Sequence, residues 1–252
     1  MKKLLAILLS CCLLTACVSA LAESAEEAPA DLLAVEASNG LTVVTGIVYF
    51  DDDETSNYID CYIYAEIRND SDVEMEIDGL VEALDAEGTV VNYDYPSLLP
   101  SCVAPGGVAY LSSSLWIAKT ETIATSADIA SMKITVGKNL YGYGQQIRLL
   151  DGMTAEMAQG VNFLNESQPV VRVTIVNNTD SEIYKPCVVA GAYDEAGKLL
   201  FMVNETFVLS SGIHIPAGST LILDLDTPWI LRKHGVTADS VASLNCLVYT
   251  QQ

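Results

Sequence analysis

The sequence predicts an all-β fold, two antiparallel β-sandwiches in tandem, on three observations. Short runs rich in Val, Ile and Tyr recur with turn signals about every 8–12 residues. Strong helical periodicity is scarce. The same series of motifs also occurs twice in the same order along 252 residues.

The chain opens on an address. Met1-Lys2-Lys3 gives a positive start and Leu4 to Leu14 a nearly unbroken apolar run, the pattern of a bacterial-style export signal. Two cleavage readings stay open. The signal spans 1–22 if cleavage follows the A-x-A triplet Ala20-Leu21-Ala22. It ends at Ala16 if Leu14-Thr15-Ala16-Cys17 is a lipobox, with Cys17 acylated as the new N-terminus. Either reading places the protein outside the cytoplasm, secreted or lipid-anchored to the cell membrane. The apolar run is short for a membrane span, and no later stretch reaches about 18 uninterrupted apolar residues. Residues 23–38, rich in Ala and Glu and containing Pro29, read as an acidic tether.

Two repeats follow, 39–145 and 146–252. Arg68-Asn69-Asp70-Ser71-Asp72 and Ala83-Leu84-Asp85-Ala86-Glu87-Gly88 are answered by Asn177-Asn178-Thr179-Asp180-Ser181 and Ala192-Tyr193-Asp194-Glu195-Ala196-Gly197. Matching Asn69 to Asn178 and Gly88 to Gly197 gives a constant offset of 109. Pro105-Gly106-Gly107, Trp116 and Ile129-Ala130-Ser131-Met132 then answer Pro216-Ala217-Gly218, Trp229 and Val241-Ala242-Ser243-Leu244. Paired strands are expected at Cys61–Ile67 and Val170–Val176, and at Leu80–Leu84 and Val188–Tyr193. Each of the latter closes on Asp-x-x-Gly, where glycine suits a turn. Val90-Val91 and Leu199–Val203 return, and Val108–Trp116 and Thr220–Leu225 follow the Pro-Gly turns. Ala155–Phe163 and Thr125–Met132 have the composition for a helical turn or two.

This order of motifs (polar turn, strand, an aliphatic or aromatic residue before Asp, D-x-x-G, then a Pro-Gly turn) resembles the FxLYD-type, Ig-like extracellular modules of bacterial secreted proteins and lipoproteins. The endings are Val81-Glu82-Ala83-Leu84-Asp85 and Ala190-Gly191-Ala192-Tyr193-Asp194. Neither has the leading Phe. The resemblance implies a tandem pair of Ig-like sandwiches and no particular activity.

Charge narrows the function class. Asp and Glu number 33 against 12 Lys and Arg, a net charge of −21 that becomes −23 once Lys2 and Lys3 leave with the signal. Neutralising phosphates needs clustered bases, so nucleic acid is excluded as a partner. A chain that is 50% hydrophobic can still bury a sizeable core.

Few residues suggest chemistry. Asp51, Asp53, Thr55 and Asn57 alternate as oxygen donors and are the best candidate for a calcium site, although the EF-hand turn glycine is missing. No other cofactor is expected. His214 and His234 make no HExxH motif and no nucleophile elbow, so Ser210-Ser211 beside His214 reads as a polar loop. Cys61, Cys102, Cys187 and Cys246 remain after the signal. Disulfides Cys61–Cys102 and Cys187–Cys246 and free buried thiols both stay open. Gly137–Gly144 lacks the Walker pattern and reads as a linker or hairpin.

Nine of the twelve tyrosines fall in the first repeat and its trailing segment. Tyr62 with Tyr64, and Tyr93 with Tyr95, are spaced by two, which on a strand puts both rings on one face. They could form a platform for a sugar or peptide. Trp116 and Trp229, at matching positions, suggest a shared packing role. The expected function is a non-enzymatic envelope protein, an interaction or spacer module whose partner is an unknown protein or glycan. The alternative is a carbohydrate- or peptide-binding protein using Tyr62, Tyr64, Tyr93 and Tyr95.

Overall fold

The structure is a computed structural model describing residues 32–142, 144, 146–161, 166–206 and 212–251. The signal with Cys17, and tether residues 23–31, lie outside the described residues. Among the described residues the protein is all-β, 59% strand in several antiparallel sheets with one short helix. In the first half run β1 (Leu33–Ala37), β2 (Leu41–Asp51), β3 (Tyr58–Asn69), β4 (Met75–Leu84), β5 (Val90–Asp94), β6 (Ser97–Leu99), β7 (Cys102–Val103), β8 (Val108–Ala118) and β9 (Ser131–Lys138). The second half has β10 (Ile147–Leu149), β11 (Met153–Val161), β12 (Ser167–Val176), β13 (Ile183–Tyr184), β14 (Cys187–Tyr193) and β15 (Leu199–Glu205). It closes with β16 (His214–Ile215), β17 (Thr220–Asp226), helix α1 (Ile230–Lys233) and β18 (Ser243–Gln251).

Period-two alternation builds the layers. On β3, Ile59, Cys61, Ile63, Ala65 and Ile67 are fully buried on one face, while Tyr58, Asp60, Tyr62, Tyr64 and Glu66 occupy the other. The buried face of sheet β2-β3-β8-β6 shares a core with Val81 and Ala83 of β4 and Met132, Ile134 and Val136 of β9, from sheet β1-β9-β4-β5. In the second half, Val171, Val173 and Ile175 of β12, in sheet β11-β12-β17, share a core with sheet β10-β18-β14-β15. That core also takes in Tyr49, Tyr64 and Tyr110 of the first half. The second half's inner sheet therefore lies on the outer face of the first half's β2-β3-β8-β6 sheet.

Strand pairings recur between the halves. The pairs β2–β3, β3–β8, β4–β9 and β4–β5 are answered by β11–β12, β12–β17, β14–β18 and β14–β15, all antiparallel. Turn chemistry recurs as well. Asp85 Oδ1 accepts from the Glu87 and Thr89 amides, as Asp194 Oδ1 does from Ala196 and Lys198. Gly88 and Gly197 carry φ of 78° and 76° there, a region L side chains rarely enter. The Asn69 and Asn177 amides are wholly buried and donate to the carbonyls of Val73 and Val103, and of Ser181 and Ile215. Their Oδ1 atoms accept from Ser71 and Thr179.

Three expectations need correction and a fourth is met in part. Asn69 corresponds to Asn177, not Asn178, because only Asn177 makes the buried bonds; the 109 offset holds at the Asp turns but not at this one. Residues 33–37 belong to the first sheet and not to a tether: β1 pairs with β9 in parallel and Leu32 is buried. The segment from Ala155 is strand β11, whose Met153, Ala155 and Met157 pack on the core while Thr154 and Glu156 face solvent. Thr125–Met132 gives only the 3-10 turn Ser126–Asp128 before β9 begins.

Candidate functional site

The outer face of β2-β3-β8-β6 carries Tyr49, Tyr58, Tyr62, Tyr64 and Tyr110 and is built in cross-strand rows. Asp51–Asp60–Trp116, Tyr49–Tyr62–Ser114, Ile47–Tyr64–Ser112 and Thr45–Glu66–Tyr110 lie side by side across β2, β3 and β8. The last three rows receive the second half. Tyr49 donates its hydroxyl to the Leu200 carbonyl at 2.8 Å, and the Leu199 amide donates to Thr45 Oγ1 at 3.2 Å. Tyr193 donates to the Glu66 carboxylate and meets the Tyr110 hydroxyl at 2.9 Å. Burial, then Tyr110 and Glu66, raise the Tyr193 phenol far above its ordinary value, so it serves as a donor. Gly191 sits on the Tyr110 ring: a Cβ there would stand 2.4 Å from a ring carbon.

At the border of this contact, α1 and the residues around it close the seam. His234 Nε2 donates to the Phe50 carbonyl at 2.9 Å, with its ring 4.9 Å from that of Tyr49. Trp229 stands edge-on to Tyr62, 5.9 Å between centroids, and Lys233 places its ammonium 5.5 Å over the indole while pairing with Asp51. The Asp51 carboxylate raises the Lys233 ammonium, with smaller pushes from Asp53 and Asp60. Beyond the border Trp116 is 69% exposed and Tyr58 51%.

The structure does not assemble the four candidate tyrosines into one platform. Tyr62 and Tyr64 do share a face of β3, as the spacing implied, but Tyr64 is buried under the second half and Tyr62 lies at its rim. A tyrosine is amphipathic enough to serve either in a platform or in a seam. Tyr93 and Tyr95 are exposed and paired edge-to-face at 6.0 Å, but Tyr93 belongs to β5 in the other sheet, opposite Glu82. The shared packing role expected for the tryptophans is corrected for Trp116, which is exposed; Trp229, 49% exposed, does pack edge-on against Tyr62 at the seam.

The calcium candidate does not converge. Asp51 is taken by Lys233, and Asp53 Oδ1 folds back onto the Thr55 amide and hydroxyl. Between them Asp52 binds Lys119 at 2.7 Å and the Ser126 amide at 2.6 Å. Asn57 contributes its backbone carbonyl to the Lys119 amide. Each of these carboxylates is thus committed to a local partner. Among the described residues no group of three or more His, Cys, Asp or Glu side chains could hold a metal ion.

The four cysteines are free thiols. Cys102 Sγ contacts Glu74 Oε1 at 3.0 Å in a shallow groove that also includes Glu76, Gly144, Gln146 and Ile147. Burial and then Glu74 push its thiol up to about 12, which suppresses the thiolate a nucleophile needs. His214 lies 3.2 Å from Glu182 Oε1 and beside the Tyr184 ring. Ser210 and Ser211 lie outside the described residues. The seam is what sequence reasoning missed: the crowding of tyrosines signalled an interface, but nothing in their spacing said that the partner was the same chain.

No protein-family model matches the sequence, and no curated protein matches it. Among solved structures, the crystal structure of red sea bream transglutaminase is similar over 85% of this chain and 29% of that one, at 9% identity and a TM-score of 0.19. The chain thus spans less than a third of that protein's length, and a likeness this weak carries no argument about fold or activity.

Proposed function

We propose that the chain is an exported, non-enzymatic protein of the bacterial envelope, an interaction or spacer module made of two Ig-like β-sandwich domains of the FxLYD type. The observation that supports this reading best is the seam itself. Conserving a fixed relation between two similar units, through Tyr49, Tyr64, Tyr110, Tyr193 and Gly191, suits a part whose task is to hold a surface in place. The free thiols, the dispersed acids of the 51–57 loop and the structural role of His234 are in keeping with it. Cell fractionation tests location, and palmitate labelling with and without Cys17→Ser separates a lipid anchor from free secretion. Recovery in the cytoplasm would overturn the reading, as would hydrolase turnover abolished by His214→Ala. The second reading, a carbohydrate- or peptide-binding protein, draws on the exposed Tyr93–Tyr95 pair. Glycan-array binding lost in Tyr93→Ala and Tyr95→Ala would favour it.

A further inference from the structure

The tyrosine-rich face runs past the area that the second half covers. Its free end carries Trp116 directly opposite Asp60 across the β3–β8 pair, with Tyr58 one step along β3 opposite Ala118. Directly opposed side chains on one face have Cβ atoms about 4.5–5.5 Å apart, and diagonal ones are still within reach of large rings. Indole, carboxylate and phenol therefore share one patch, in which Trp116 and Tyr58 are exposed and Asp60 is half-buried. At the border of the seam the same chemistry already holds a cation: Lys233 sits over Trp229 and pairs with Asp51. An indole face attracts an ammonium or guanidinium through its quadrupole, and a neighbouring carboxylate adds charge and a hydrogen bond.

We infer that Trp116, Asp60 and Tyr58 form a second cation seat of this design, and that it takes a Lys or Arg side chain from a basic peptide segment of a partner. Charge complementarity selects this occupant. Asp51, Asp53 and Asp60 all act on one ammonium, that of Lys233, while Asp52 is matched by Lys119. The rim keeps an anionic excess, on a chain of net charge −21. A neutral sugar would stack on the rings and leave that excess unmatched.

This inference rests on the interaction-module reading and names the chemistry of its partner. The test titrates the full chain with a fluorescent Lys- and Arg-rich peptide, and with a counterpart carrying Gln at each basic position, following anisotropy and tryptophan emission. The basic peptide binds and perturbs tryptophan emission; the neutral one does not. Trp116→Ala and Asp60→Asn each weaken binding by about two- to fivefold, whereas Tyr93→Ala, on the other sheet, leaves it unchanged. Unchanged melting curves confirm that the variants fold. Equal binding of the neutral peptide, or undiminished affinity in both variants, overturns the seat. So does a neutral oligosaccharide that binds with a Trp116-dependent emission change. Failure here leaves the spacer reading intact, because that reading falls only on location or turnover.

Discussion

Two asparagines show how single side chains fix this fold. Asn69 and Asn177 are wholly buried polar residues, and each ties the end of a strand to the following loop and to a short strand, β7 or β16, through its amide and carbonyl. Buried carbonyls left without a donor cost about 1–3 kcal/mol. Asn177→Ala is therefore expected to lower unfolding free energy by about 3 kcal/mol, read from urea denaturation, and Asn69→Ala to act similarly. The thiols give a pH prediction. Cys102 is pushed to about 12 and Cys246 to about 11, from an ordinary 9.0, mainly by burial. The folded state thus keeps protons that the unfolded chain releases above pH 9. The stability they contribute is full below that pH and is lost as pH rises through 9 to 12. At pH 8 the native thiols should alkylate far more slowly with iodoacetamide than the denatured chain does, as followed by mass spectrometry.

At the scale of elements, strands with one buried face were legible and those with mixed duties were not. β3 and β12 announce themselves through Ile and Val at alternate positions. β11 does not, because Met, Ala, Glu and Gln favour helices and only docking on β12 selects the extended form. β1 hides among Ala and Glu and is held by β9 rather than by its own apolar content. β14 is buried along its whole length, Cys187 to Tyr193, since one face meets its own half and the other the first half. Gly191→Ala tests that second duty. A methyl group aimed at the Tyr110 ring should cost about 1–3 kcal/mol by overpacking, and Tyr110→Leu in the same chain should recover part of it in thermal unfolding.

At the scale of the whole molecule, the repeat was legible because turn chemistry is local: the Asp-x-x-Gly turns close within four residues, although the buried asparagines also reach carbonyls 34 and 38 residues away. The stacking of one half on the other was not. It depends on side chains far apart in sequence, Tyr49 with Leu200 and Glu66 with Tyr193, and no periodicity records such pairs. For the same reason the expected tyrosine platform did not assemble: Tyr62 and Tyr64 went to the seam and Tyr93 to the other sheet. The two terminal strand pairs also set how the chain should respond to mechanical load. β1 runs parallel to β9, so a pull between its leading end and the far end of β9 loads all of their hydrogen bonds together in shear. β10 runs antiparallel to β18, with Ile147 beside Gln251, so the same pull peels that pair open one bond at a time. Stretched from its ends in single-molecule force spectroscopy, the chain should yield in two steps, with the second half opening first and at the lower force.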